Sequence, residues 1–382
     1  MNLILDFTEL ASVVSYSNTI LSDKSVDDKM KNIIFLVDKE GVKIVGYNAF
    51  TFARTQLEKA TVNDIPDDGW DFQLRASDIN KIISSFSNLY KTKVDTLEIS
   101  DDGVKVKVVI KEEPLKEEDS KLAQVSRFSL ENAPIIANIL KEIKREFPEN
   151  VDLISSADPT LYIDSLLPLM DNNSSNNLTS KMNFAGDYVF VMSSAMSAFF
   201  ENKLPDAFKD LTLSYSSVSF LNKLCEGTDS LGVARTDNYL CIQTTNTEAF
   251  MRYQSIKIKY QMYIDKRSKE NGIVVDRMYF KDVLRRMGSV TPEGKMKITP
   301  EGDLSVVNEA FSQLIPLNSK KGEVENIAFN VSIPTIEKVL IGKDDVFPYD
   351  VFIYFVPTQR GYVIYLSDKT GAWFSTTQVT HS

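Results

Sequence analysis

One short pattern occurs three times in this chain. Ile79-Asn80-Lys81-Ile82 returns as Leu221-Asn222-Lys223-Leu224 and again as Ile336-Glu337-Lys338-Val339. Ahead of each stands a second pattern: Asn48-Ala49-Phe50-Thr51, Ser194-Ala195-Met196-Ser197 and Glu309-Ala310-Phe311-Ser312. The spacing from the alanine to the apolar residue that opens the lysine pattern is 30, 26 and 26 residues. Two patterns keeping near-constant spacing through three copies mark a triplicated domain. Repetition also argues against catalysis, because repeats build a shape more readily than a single active site.

Each copy divides into two units of strand, helix and hairpin, which gives an α+β fold class. In copy one, Asp6 and Thr8 can cap a helix whose Leu10, Val13, Val14 and Leu21 follow helical spacing. Ile33–Val37 and Val42–Val45 then flank the turn Asp38-Lys39-Glu40-Gly41. The second unit opens with Phe72-Gln73-Leu74. Ser77 is expected to cap a helix carrying Ile79, Ile82, Ile83 and Phe86 on one face, and a hairpin follows from Thr96 to Ile110 around Asp101-Asp102-Gly103. Copy two repeats the plan with Met182–Phe184 and Tyr188–Val191 about Gly186-Asp187, then Leu211–Leu213 and a turn at Asp237-Asn238. Copy three does so with Lys295–Ile298 and Leu304–Val307, then Ala328–Val331, the Ile336–Leu340 helix, and Val351–Val356 with Tyr362–Leu366.

The expected domains are 1–120, 121–268 and 269–382, and the first junction is irregular. Lys111–Pro114 and Glu117-Glu118-Asp119 read as a solvated linker. Ser129 to Phe147 reads as a helix with Ile135, Ile139, Leu140 and Ile143 facing a core. Either this helix opens the second copy, or residues about 121–158 are inserted and Leu161-Tyr162-Ile163 opens it; spacing favours the insertion. The polar run Asp171–Asn177 reads as a loop.

Composition narrows the function. With 43% hydrophobic and 25% charged residues the chain reads as a globular protein. No stretch approaches the roughly 20 apolar residues of a membrane span. The start, Met1–Asp6, has neither a basic region nor a cleavage site, so no signal peptide is expected. Cys225 and Cys241 sit in apolar patterns and read as reduced core residues, which points to the cytoplasm. The only histidine is His381, which removes Ser-His-Asp and Cys-His nucleophile arrangements and histidine-ligated zinc. No phosphate-binding glycine loop is present. Neither a cofactor, a metal nor an enzymatic activity is expected. The formal net charge of -10 keeps the chain soluble and still permits a basic face.

Laid out this way, the chain resembles a DNA polymerase sliding clamp of the three-domain bacterial type. The local match is Phe329-Asn330-Val331-Ser332 running into Ile336-Glu337-Lys338-Val339-Leu340, which is similar to the strand-to-helix segment of the third clamp domain. The Gly186-Asp187 hairpin and the Ser194–Ser197 turn stand where the family has its central-domain hairpin and following loop. Two departures mark a divergent clamp of bacteriophage kind. Trp373–Val379 replaces the family's short apolar tail, and Ser129–Phe147 has no counterpart. The resemblance implies a homodimeric ring whose helices line a channel with sheets outside. It also implies duplex DNA, a DNA polymerase and a clamp loader as partners. The competing class is a structural repeat protein of a virion or surface assembly with no DNA role.

The repeated lysine makes sense in such a ring. Lys81, Lys223 and Lys338 each fall opposite the apolar face of their helix. A further helix adds the stripe Arg277, Lys281 and Arg285, with Arg286 beside it. These seven residues are the expected DNA contacts. The resemblance places a partner-peptide pocket along Ser193, Met196 and Ala198, with Tyr260, Met262 and Tyr263 from the connector and Thr376, Thr377 and Gln378 at the C-terminal edge.

Overall fold

The structure, a computed structural model, describes residues 1–21, 31–101, 105–170, 181–193, 196–256, 259–265, 268–308, 311–325, 327–340, 349–371 and 373–381. The Asp171–Asn177 run, the centre of the 101–103 turn, and Ser194, Ala195, Glu309 and Ala310 lie outside the described residues. The chain packs as two compact units: residues 1–156 with 219–253, and residues 157–218 with 254–382.

The first unit opens with β1 (Asn2–Asp6) and α1 (Phe7–Leu21). Asp6 caps α1 as its sequence predicts, its Oδ1 accepting from the Glu9 N–H at 2.8 Å. There follow β2 (Asn32–Asp38), β3 (Gly41–Tyr47), β4 (Thr51–Leu57), β5 (Ala60–Asn63), β6 (Phe72–Arg75), α2 (Ala76–Phe86), β7 (Thr92–Lys93), β8 (Thr96–Asp101) and β9 (Lys105–Pro114). The expected cap at Ser77 is not made. Ala76 starts the helix by donating its N–H to the Lys31 carbonyl at 3.0 Å, and the Ser77 hydroxyl turns to Asp78. A tertiary carbonyl does the work of a local cap.

The first junction also departs from expectation. Lys111–Pro114 lies inside β9, and Ser129–Glu131 ends β10 (Gln124–Glu131), which pairs with β9 from Gln124↔Glu112 to Glu131↔Lys105. Only α3 (Ala137–Ile143) is helical. Pro134 explains the late start, since the residue before a proline is pushed out of the helical region. The strand that begins the next repeat is β11 (Asp152–Ser155), paired with residues 230–233, while Leu161-Tyr162-Ile163 lies within the helix α4 (Ala157–Leu166).

Beyond α4 run β12 (Lys181–Ala185), β13 (Tyr188–Met192), β14 (Met196–Glu201), β15 (Leu211–Ser214) and α5 (Tyr215–Glu226). Next come β16 (Ser230–Arg235), β17 (Tyr239–Gln243), β18 (Thr247–Arg252), β19 (Gln254–Ser255), α6 (Gln261–Asp265), β20 (Gly272–Asp276) and α7 (Arg277–Gly288). The last elements are β21 (Glu293–Ile298), β22 (Asp303–Val307), β23 (Ser312–Lys321), β24 (Ala328–Ser332), α8 (Ile333–Val339), β25 (Asp350–Thr358), β26 (Gly361–Ser367) and β27 (Trp373–His381). Trp373–Val379 is therefore not a tail but part of a strand held by β26 and β14.

All sheet pairings are antiparallel. In the first unit one sheet runs β10-β9-β8-β1-β5 and another runs β11-β16-β17-β18-β4-β3-β2-β6. In the second unit β15-β12-β13-β14 continues through β27 into the strands of the last repeat. The repeat is visible in its turns. Asn48, Ser193 and Asn308 donate their N–H to the carbonyl three residues on, at 2.8, 2.7 and 2.8 Å. Their side-chain oxygens accept the returning N–H at 2.7, 3.0 and 2.7 Å. This places Asn48 with Ser193 and Asn308, one residue from the alignment read in the sequence. A turn selects the residue with a side-chain acceptor rather than the neighbouring alanine.

Candidate nucleic-acid interface and docking face

The three lysine helices are amphipathic in the same sense. On α2, Ile79 and Ile82 are buried and Lys81 is exposed. On α8, Ile336 and Val339 are buried and Lys338 is exposed. On α5, Leu221 and Leu224 are buried while the Lys223 side chain keeps 42% of its surface. The Lys223 ammonium pairs with Glu226 at 3.0 Å, and that hydrogen bond raises its pKa. Lys81 and Lys338 make no ion pair among the described residues. Each helix thus spends its apolar face on the core and leaves a cation on the other side.

The α7 stripe survives only in part. Arg277 is 1% exposed and donates from Nη2 to the Leu340 carbonyl at 3.3 Å. It is a structural residue, not a DNA contact. The reason was present in the spacing: Arg277 stands three and seven residues before Phe280 and Leu284, and therefore on their buried face as much as in line with Lys281. Lys281 is half-buried, whereas Arg285 and Arg286 are exposed and share Asp282 at 3.1 and 3.2 Å. One carboxylate between two guanidiniums leaves the exposed face of α7 positive.

The candidate docking residues fall around an aromatic face of the second unit. Phe190, Phe199, Tyr365 and Phe374 are buried together with Ala185 and Ile264. Phe199 and Phe374 stack at 4.8 Å and 9° across the β14–β27 pairing, and Phe190 lies 5.2 Å from Phe199. Tyr260 packs at 5.2 Å on Phe190 and Tyr263 at 6.2 Å on Phe199. Met262, between them on α6, is 46% exposed. Burial, with Asp210 and Asp187 nearby, raises the Tyr260 pKa; burial and then Asp368 do the same for Tyr354. Carboxylates therefore flank this face.

Other expected wall residues are not on it. Met196 and Ala198 alternate with Phe199 along β14, so their side chains point to the opposite side of the sheet, where they are 8% and 0% exposed. Ser193 is committed to its turn, and its N–H and hydroxyl both donate to the Met196 carbonyl. Thr377 is buried opposite Met196 and Ile364. The side chains of Thr376 and Gln378 lie outside the described residues. Sequence reading missed Phe190, Phe199, Tyr365 and Phe374. Each belongs to an alternating strand, but the face exists only when strands far apart in sequence pair.

No protein-family model matches the sequence, and no curated protein matches it. Solved structures do. The DNA polymerase III beta subunit of Thermotoga maritima is 13% identical, over 100% of this chain and 99% of that one, with a TM-score of 0.74. The DNA polymerase sliding clamp of Bacillus subtilis is 12% identical over 100% and 99%, at 0.76. DNA polymerase III subunit beta of Borrelia burgdorferi, solved in complex with a natural product, is 11% identical over 100% and 98%, at 0.78. Identity this low carries the fold, and the fold is shared end to end: this chain has the α+β clamp fold of the polymerase beta subunits.

Proposed function

We propose that this chain is a DNA sliding clamp, a non-enzymatic processivity factor that encircles duplex DNA in the cytoplasm and tethers a DNA polymerase. The observation that carries the reading is the cation at the same place on three repeat-equivalent helices. Lys81, Lys223 and Lys338 lie opposite their buried faces, with Lys281, Arg285 and Arg286 on α7 adding to them. A repeat kept for shape alone has no need of that placement. A clamp needs phosphate contacts without base contacts, so that it holds the duplex and still slides.

The three domains follow the repeat, with the first division moved from about residue 120 to beyond β10, which pairs with β9, and the second at about residue 268. Strand edges support a homodimer. In the chain, β4 is joined to β18 and β14 to β27. The corresponding strands left over are β10, at the end of its sheet, and the Ser312–Pro316 half of β23, which pairs only with β22 among the described strands. Val125 and Leu314 on these edges are 46% and 52% exposed. Pairing β10 of one copy with β23 of the next would satisfy both and close a ring of two chains. The exposed margin of the second unit's aromatic face, at Met262 of α6, is then the dock for peptides of the polymerase and the clamp loader.

The test is charge reversal at Lys81, Lys223, Lys338, Lys281, Arg285 and Arg286 together. The variant should remain dimeric, and it should leave nicked circular DNA far faster than the parent at moderate salt. Equal retention would exclude these residues as the DNA-facing set.

A further inference from the structure

The aromatic face of the second unit has a counterpart in the first. There Thr51–Thr55 of β4 pairs with Thr247–Met251 of β18, and Phe52 lies opposite Phe250, stacked at 4.6 Å and 12°. The second unit repeats this with Phe199 and Phe374 at 4.8 Å and 9°. Tyr47 and Tyr239 flank the first pair as Phe190 and Tyr365 flank the second. The two faces differ in what lies on them. The second carries α6, whose single carboxylate, Asp265, accepts from Gln261 of the same helix. The first carries the segment from Ile135 to Phe147, a longer connector that stands where α6 stands on the second.

That segment is seated as a bound peptide is seated. Ile143 is 0% exposed against the aromatic floor, Ile139 and Leu140 pack beside it, and Phe147 meets Phe250 edge-on at 5.5 Å. The Glu142 carboxylate accepts from the Tyr47 hydroxyl at 3.2 Å, and from the Tyr239 hydroxyl and the Arg252 guanidinium. Arg54 donates to the Ile143 carbonyl at 3.1 Å. Apolar residues at four-residue spacing and one carboxylate among two phenols and a guanidinium are the elements of helix-in-groove recognition.

We infer that residues 135–147 are a built-in ligand, covering the aromatic face of the first unit as Tyr260 and α6 cover that of the second. The inference rests on reading the second-unit face as a peptide dock. Vacated, the first-unit face takes a short peptide with a helical turn carrying apolar residues at the spacing of Ile139 and Ile143, a carboxylate next to the second, and an aromatic residue in the non-helical chain beyond, where Phe147 lies.

Cys241 reports whether the face is closed. It is 0% exposed in this cluster, and burial pushes its thiol up to about 12. The experiment uses the full chain with Cys225→Ser, with and without Ile139→Ser and Ile143→Ser, and a fluorescent peptide spanning residues 132–150. In the parent, Cys241 should resist iodoacetamide and the peptide should find no place on this face. In the opened variant, alkylation should be at least about tenfold faster, and the peptide should bind once per chain and restore protection. The same peptide carrying Glu142→Ala should bind about tenfold more weakly. A folded variant that exposes Cys241 and captures no peptide would overturn the inference, as would one in which Cys241 stays protected. If the variant does not fold alone, recovery of native circular dichroism on refolding with the peptide supports the inference, and no recovery overturns it. Binding of a polymerase-derived peptide to the parent tests the second-unit dock separately, so failure of either reading is distinguishable from failure of the other.

Discussion

Arg277 and Glu142 show how burial reassigns charged residues. Arg277 continues a basic stripe in sequence, yet its 1% exposure and its bond to the Leu340 carbonyl make it part of the α7–α8 packing. Arg277→Ala should therefore cost about 2–4 kcal/mol in urea unfolding, since it leaves a buried carbonyl without that donor and a cavity in place of the side chain. Retention on circular DNA at a temperature where the variant is folded should be unchanged. Lys81→Glu should give the reverse pattern. Glu142 is governed by competing effects: burial opposes its ionisation, but hydrogen bonds from Tyr239 and Arg252 outweigh it and hold the carboxyl below the usual glutamate range. A carboxyl depressed on folding adds stability above its unfolded pKa, and that stability is lost as pH falls through the folded value. Glu142→Gln should cost roughly 2 kcal/mol at pH 7. The deficit should shrink as pH falls below about 4, which chemical denaturation at pH 7, 5 and 3 would detect.

At the scale of elements, what could be read from the sequence was what is local. The hairpins about Asp38–Gly41 and Gly186-Asp187 were visible because alternation and turn residues coincide. So were the three lysine helices, whose 3.6-residue period separates Ile79 and Ile82 from Lys81. Strands β4, β14, β18 and β27 each pair with the strand just before them, but their second partners lie far along the chain; Phe52 meets Phe250 and Phe199 meets Phe374 across gaps that no local pattern records. β10 was hidden differently. The helical spacing of Ile135, Ile139 and Ile143 drew the apparent helix back over Ser129–Glu131, although Phe128 and Leu130 alternate onto a strand-built core. The connector helix α6 was foreseen as a set of residues but not as a division of labour. Tyr260 and Tyr263 pack on the aromatic face, whereas Met262 is exposed. Met262→Ala should therefore weaken binding of a polymerase-derived peptide, measured by anisotropy, while leaving the melting temperature unchanged. Tyr263→Ala should lower both, and the pair together should cost roughly 2 kcal/mol in binding. Full affinity in a folded double variant would move the dock off α6.

At the scale of the whole molecule, the unpaired edges of β10 and β23 make the single chain an incomplete object. Sedimentation at micromolar concentration should give a dimer, and Leu314→Asp, which sets a charge on an exposed apolar edge position, should give a folded monomer. A wild-type monomer or trimer under those conditions would remove the basis for a two-chain ring. The positions of the two edges also set an order for biosynthesis. Residues 124–131 leave the ribosome long before residues 312–321, so a growing chain shows one adhesive edge while its complement is still unmade. A chain cut short in between keeps Val125 exposed beside unpaired backbone and can never be sealed by a copy of itself. In a two-chain ring, dimerisation would act as an inspection step: full-length chains would withdraw their edges from the reach of proteases and aggregates, and truncated ones would remain open to both.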